Sequence, residues 1–257
     1  MSSMYDPFIP GGPEQDSKPT LLYRLREVNL YKHIPLWCGV FLVLAVILPA
    51  VTGTGSDMLF RRGSLMTYFS PLLLMICGIV AGIVYWERIR GRGGILDSLN
   101  TSRLIWLIVA IGFALLATDE MSNFHRSFGA WLRAAFEARG KPISPRFDDS
   151  LVWAYMAVAF LLALAYADEL LNFRVVLPYL WTGAALMLLS LGLNIFVPDS
   201  FMLKYPEGGR LHILSVMSDV CKIEAEAFLL SALLRVRGRA ASLPIPIKTI
   251  HSRARHA

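Results

Sequence analysis

The chain has 257 residues, of which 55% are hydrophobic and 17% charged, and a net charge of +6. Soluble domains carry nearer a quarter charged residues, so the composition excludes an ordinary soluble globular protein and points to the membrane class. The positive excess is concentrated between and beyond the apolar runs, which explains it without a nucleic-acid partner, and none is expected.

In chain order, residues 1–19 are rich in Pro, Gly and Ser and are expected to form a disordered leader. Residues 20–33 place Leu21, Leu25 and Val28 on one helical face, which predicts a short helix lying on the membrane surface. Six apolar runs follow: Ile34–Thr52, Leu65–Trp86, Arg103–Asp119, Leu151–Ala167, Val175–Val197 and Leu211–Leu234. Each is close to the roughly 20 residues that a bilayer-crossing helix needs. The first run is too long for a signal-peptide core and has no small-x-small cleavage site, so it is expected to be retained as a helix. After the third run, Phe128, Trp131, Leu132, Ala135 and Phe136 recur at helical spacing on a basic background. That pattern predicts a second interfacial helix near 126–138, broken by the following K-P-I-S-P. The expected architecture is an all-α, polytopic six-helix membrane bundle over 20–236, with a basic cytoplasmic tail over 237–257.

Six crossings put both termini on one side. That side holds 15 Lys and Arg residues, among them Arg88, Arg90, Arg92, Arg103 and Arg174, against 9 on the other. The positive-inside rule then places both termini in the cytoplasm. Trp37, Trp86, Trp106, Trp153 and Trp181 fall near predicted helix ends, where indole rings favour the interface. Cys38, Cys77 and Cys221 lie inside apolar runs without C-x-x-C spacing, which reads as small buried side chains. Asp199 and Glu207 read as solvated loop charges, and Glu87 with Arg88–Arg92 as an ordinary basic inner loop.

A short string recurs. Residues 119–124 are D-E-M-S-N-F and residues 168–173 are D-E-L-L-N-F, and aligning 104–124 with 153–173 gives eight identities in 21. The match is either an inverted repeat of the kind found in transporters or the chance likeness of two apolar helices. Alternating helix direction puts Asp119 and Glu120 near the outer surface, and Asp168 and Glu169 near the inner one. The inner copy reads as a helix-end anchor beside Arg174.

The strongest chemical signal lies in the sixth run. At 100° per residue, His212, Ser215, Asp219, Lys222 and Glu226 fall within an arc of about 80°, with Glu224 about 140° from Asp219. An ionised side chain at a helix centre costs about 2.5–3.5 kcal/mol on insertion scales, so this stripe must avoid lipid. Asp219 with Lys222 and Lys222 with Glu226 are spaced to pair within the helix. The stripe reads as a proton or ion relay of Asp219, Lys222 and Glu226, as a catalytic site, or as a structural ion-pair network.

The sixth helix brings His212 to the depth of Asp119, Glu120 and His125. Those four donors suit Zn, Mn or Fe, although His125 reaches Asp119 only if the third helix breaks first. On an unbroken helix Asp119, Asn123 and Arg126 share a face, and Asp119, Glu120, Asn123 and Ser215 are candidate binding residues. D-E-M-S-N-F-H-R resembles the D-E-x4-H-[E/R] signature of some uncharacterised bacterial multi-pass inner-membrane proteins, with Arg126 where Glu is more usual. The resemblance implies an inner-membrane location and supplies no activity. Three functions fit these residues. The first is a proton- or ion-coupled transporter or channel. The second is a metal-assisted membrane enzyme working on a lipid-linked substrate at the outer leaflet. The third is a non-catalytic subunit docking other membrane subunits or a second copy of the chain.

Overall fold

The computed structural model describes residues 30–52, 65–89, 102–141, 147–195 and 209–240. The chain divides into two compact units, Met1–Leu30 and Tyr31–Ala257, and the described helices belong to the second. The expected leader, the surface helix before residue 30, the loop Arg90–Arg92, Asp199, Glu207 and the tail beyond Ala240 lie outside the described residues. So does the side chain of His212.

The described residues form eight α-helices and no strand. They are α1 (Ile34–Thr52), α2 (Leu65–Ile89), α3 (Leu104–Ser122), α4 (Phe124–Glu137), α5 (Phe147–Ala165), α6 (Ala167–Leu171), α7 (Leu177–Ile195) and α8 (Gly209–Ala240). A 3-10 turn at Arg174–Val176 leads into α7. Three segments among the described residues are long and apolar enough to cross a membrane: Leu65–Ile89, Leu104–Ser122 and Arg174–Leu193. Ile34–Leu48 and Val152–Ala165 are shorter apolar stretches.

The distribution of side chains is that of a protein with an apolar surround. Leu36, Leu44 and Leu48 on α1, Leu72 and Ile79 on α2, Leu115 on α3 and Leu161 on α5 all point outward and are exposed. Contiguous apolar surface on that scale would drive aggregation in water, and acyl chains are its natural solvent.

The least apolar long helix lies at the centre. α8 packs against α7, α2 and α1, while α3 packs on α2. Several of its inward positions are small: Ser218, Ala225, Ala227, Ser231 and Ala232 are buried beside Ile223, Leu230 and Leu233. Small residues let helix backbones approach closely where the hydrophobic effect offers little drive between helices. Gly183 of α7 meets α8 in the same way, since a Cβ there would stand 3.2 Å from the Ala225 carbonyl oxygen. Ser190 and Ser218 join the two helices by a hydroxyl–hydroxyl bond of 3.0 Å, and Ser218 also donates to the Ser190 carbonyl at 3.0 Å. α8 continues to Ala240, so residues 237–240, expected as tail, are helical, and Arg237 reaches Glu87 at 3.4 Å.

α4 has the expected amphipathic pattern. Phe124, Phe128 and Trp131 stack in series with ring centroids 5.9 and 5.8 Å apart, and Phe124 and Trp131 are exposed. An aromatic ribbon on a basic helix suits the headgroup boundary. Trp37, Trp86, Trp153 and Trp181 are exposed, whereas Trp106 is buried. Cys38 and Cys77 are buried free thiols, and Cys221 is half-buried.

At Gly78 of α2, a Cβ would lie 3.1 Å from the Ala110 carbonyl oxygen of α3, whereas Gly112 meets nothing within 4 Å. Gly78→Val should therefore lower stability by about 1–3 kcal/mol through overpacking. Gly112→Ala should not destabilise. Thermal unfolding in dodecyl maltoside, followed by maleimide labelling of the buried Cys77, tests the pair.

Candidate functional site

Buried charge collects in two places separated along α2 by the run from Ser70 to Arg88, ~27 Å at 1.5 Å per residue. The first surrounds the middle of α8. Glu226 is fully buried and accepts a 2.7 Å hydrogen bond on Oε1 from the Ser70 hydroxyl of α2. Its Oε2 is also buried, and no described residue supplies a hydrogen bond to it. The Cys77 thiol lies 3.9 Å from the Glu226 carbonyl oxygen, which fixes α2 against this turn.

One turn earlier, Lys222 Nζ donates to Glu120 Oε1 at the end of α3. Both side chains keep partial exposure, so this pair stands between the surroundings and buried Glu226. Asp219 lies a further turn out, close enough to Lys222, Glu120 and Arg126 for their charges to act on it. Ser215 is half-buried on the same helix. Lys222 thus lies within charge range of Asp219 and Glu226 as expected, while the hydrogen bonds go to other helices. α2 presents Ser70 to Glu226, and the long lysine stem spans the gap to α3, which does not pack closely on α8.

The end of α3 breaks where the metal reading required it. Asn123 adopts a left-handed conformation at φ 52°, ψ 38°, ending α3 and starting α4. Asn is among the few non-glycine residues that tolerate this region. The break returns His125 to Asp119, whose Oδ1 accepts the His125 backbone N–H at 2.7 Å, with Oδ2 2.9 Å from His125 Nδ1. Asp119 therefore caps the first turn of α4, a role worth about 1 kcal/mol in a typical helix. Asp119, Asn123 and Arg126 would share a face only on an unbroken helix, and the helix does not continue through Asn123. Of the four proposed donors, Asp119 and His125 meet each other, while Glu120 turns to Lys222. Among the described residues no three His, Cys, Asp or Glu side chains gather as a metal-binding group.

The second charged place is at the other end of α2 and went unnoticed in the sequence. Arg88 and Glu169 are both buried and form a forked pair: Nε and Nη2 reach Oε1 at 3.1 and 3.0 Å, and Nη2 reaches Oε2 at 3.2 Å. Trp106 Nε1 donates to Oε1 at 3.1 Å, and Asn172 Nδ2 to Oε2 at 3.4 Å. Phe173, fully buried, meets Trp106 edge-on at 5.5 Å and lies under the Arg88 guanidinium at 5.8 Å. Arg88 is thus no inner-loop charge, Glu169 no helix-end anchor, and Trp106 no interfacial anchor, since each completes the others' hydrogen bonding. Nothing in W-E-R-I-R-G-R distinguishes Arg88 from its neighbours. The available hint was the repeat itself, whose two glutamates both turn to a cation on a distant helix.

The two copies differ in local form. α3 is continuous through Ser122, whereas the second copy is interrupted at Tyr166 between α5 and α6. Phe124 is exposed and Phe173 buried. Glu224 lies on a separate face of α8, beside Gly39 of α1 and the Cys38 thiol. No protein-family model, curated protein or solved structure matches this chain.

Glu169→Gln leaves the Arg88 guanidinium buried without its counter-charge. The substitution should cost about 3–5 kcal/mol, while Arg88→Met with Glu169→Leu should recover most of that loss. Unfolding midpoints of the two variants in detergent decide it, and equal losses in both would refute the ion-pair account.

Proposed function

We propose that the chain is a six-crossing inner-membrane protein, both termini cytoplasmic, in which α8 carries protons or ions. In this reading α1, α2, α3, the α5–α6 segment, α7 and α8 each cross, and α4 lies at the outer surface. The observation that carries it is Glu226: a fully buried carboxylate with one oxygen held by Ser70 and the other without a hydrogen bond from any described residue. Buried polar groups are nearly always satisfied, and an ionisable residue inside a membrane bundle is a functional group by default. Oε2 is the atom at which a proton would be held.

Access comes from the N-terminal end of α8. Asp219, Lys222 and Glu226 lie on successive turns, and the partly exposed Lys222–Glu120 pair gives an exchange point one turn from Glu226. A proton arriving at Glu120 or Asp219 needs to travel about 10 Å along the helix, the rise from Asp219 to Glu226. Breaking or protonating the Lys222–Glu120 pair frees the ammonium to turn toward Glu226. That movement couples occupancy at the mouth to the buried carboxylate.

The metal-assisted enzyme reading rests on the Asp119–His125 pair and needs Glu120 released from Lys222. The subunit reading needs a polar face left over for a partner, and the α8 stripe is engaged by Ser70 and Glu120 of the same chain. Both are therefore less well supported than conduction.

Proteoliposomes with an internal pH dye test the proposal. Wild-type protein should dissipate an imposed pH gradient. Glu226→Gln should slow that flux by about tenfold or more, the loss expected when a required proton-transfer group is removed. Asp219→Asn should reduce it less. Gln keeps the acceptor for Ser70, so its thermal stability should match wild type. Flux in the Gln variant equal to wild type, or wild-type flux no greater than in empty vesicles, would overturn the relay.

A further inference from the structure

A groove of about 750 Å³ runs between α1, α7 and α8. Its walls are apolar side chains of α1, including Leu36, Val40, Val43 and Leu44, facing the aromatic pair Tyr179 and Phe228, whose ring centroids are 6.2 Å apart. Glu224 is its one carboxylate, set opposite Gly39. A Cβ at Gly39 would stand in ordinary contact, 3.8 Å from both Glu224 carboxylate oxygens, so glycine leaves a methyl-sized space beside the acid group.

The charge of that carboxylate is not answered from within the described protein. Oε2 is buried and receives no hydrogen bond from a described residue, and its polar neighbour is the weak Cys38 donor. The cations near the groove sit at one end. Lys32 lines it seven residues before Gly39, and Arg235 stacks on Tyr179 and Tyr31 at 5.6 and 5.3 Å. The volume falls within the roughly 300–1,000 Å³ of small-molecule sites, and the lining has the usual form of apolar walls with one placed polar group.

We propose that this groove binds a lipophilic cation, an ammonium- or phosphonium-type amphiphile, with its charge against Glu224 and its apolar body along Val40, Val43 and Leu44. The carboxylate supplies the counter-charge, and the Phe228 ring, one turn along α8 from Glu224, adds attraction for a desolvated cation. Lys32 and Arg235 repel a positive head from their end of the groove. They thereby set its orientation, with the charge at Glu224 and the body toward Leu44. An anionic amphiphile of the same shape meets the opposite field at Glu224 and binds worse. This site is separate from Glu226, which faces α2, and does not depend on proton conduction.

Equilibrium binding of tetraphenylphosphonium to the purified full chain in dodecyl maltoside tests it, with tetraphenylborate as the anion of equal shape. We expect saturable binding of the phosphonium at one site per chain, and weaker binding of the borate. Glu224→Gln should weaken phosphonium binding about tenfold or more, the scale of one lost charge contact in a partly desolvated site. Gly39→Leu, which fills the space before the carboxylate, should block it and carries the test if the Gln variant does not fold. Glu226→Gln should leave it within about twofold, as expected of residues acting independently. Absence of saturable phosphonium binding to wild type, borate bound as tightly as phosphonium, or undiminished affinity in both groove variants would overturn the proposal.

Discussion

The architecture depends on one constraint: the helix with the most interior charge must be the helix with the least contact to lipid. α8 carries Asp219, Lys222, Glu224 and Glu226 within eight residues, and the cost of exposing them to acyl chains exceeds what its apolar positions return. Placing α8 between α1, α2 and α7 meets the constraint. The outer helices then become the apolar wall. This explains why α1 and α5 expose so many large aliphatic residues while α8 buries Ile223, Leu230 and Leu233 together with alanine and serine. A polar centre with an apolar exterior is the arrangement that lipid imposes, because the bilayer cannot satisfy a hydrogen bond.

The constraint also sorts the charges by how they are satisfied. Arg88–Glu169 is closed: both carboxylate oxygens accept, the guanidinium fork is engaged, and the aromatic pair Trp106 and Phe173 covers it. Such a site locks α2, α3 and the α5–α6 segment together and leaves no vacant lone pair for chemistry. Glu226 and Glu224 are open in the sense that matters, since each keeps a buried oxygen with no hydrogen bond from a described residue. One chain thus uses carboxylates in two ways, as a saturated lock near one end of α2 and as unsaturated groups on the central helix.

Most of the helical plan was legible because it follows from hydropathy and length alone. The run Ile34–Thr52 matches α1 end to end, and Leu65–Trp86 and Arg103–Asp119 match α2 and α3 to within three residues. Three crossings are supported by length and composition. The sixth run is too charged to be recognised that way, and its place in the bundle follows from packing. Partners were much less legible. The angular stripe on α8 showed that Asp219, Lys222 and Glu226 lie near one another but not their hydrogen-bonding partners Ser70 and Glu120, since helical spacing reports only which side chains are close on one helix. Ser70 is an unremarkable serine in an apolar run, and Arg88 is one arginine among several. Each is identified only once α2 is laid against its neighbours.

The recurrent D-E-x-x-N-F string shows how the same local sequence is put to different uses by its surroundings. In both copies the glutamate is the member that reaches another helix, to Lys222 in one and to Arg88 in the other. In the first, Asn123 turns the chain sharply, Asp119 caps the helix that follows, and the pair stays partly exposed. In the second, Asn172 bonds back to Glu169, Phe173 seals the cluster, and the pair is dry. A dry forked pair is costly to open and suits a permanent joint. A partly exposed lysine–carboxylate contact adds little net stability. The difference puts the weak contact one turn of α8 from the unsatisfied Glu226 and the strong joint at the far end of α2, so the two ends of α3 are held unequally.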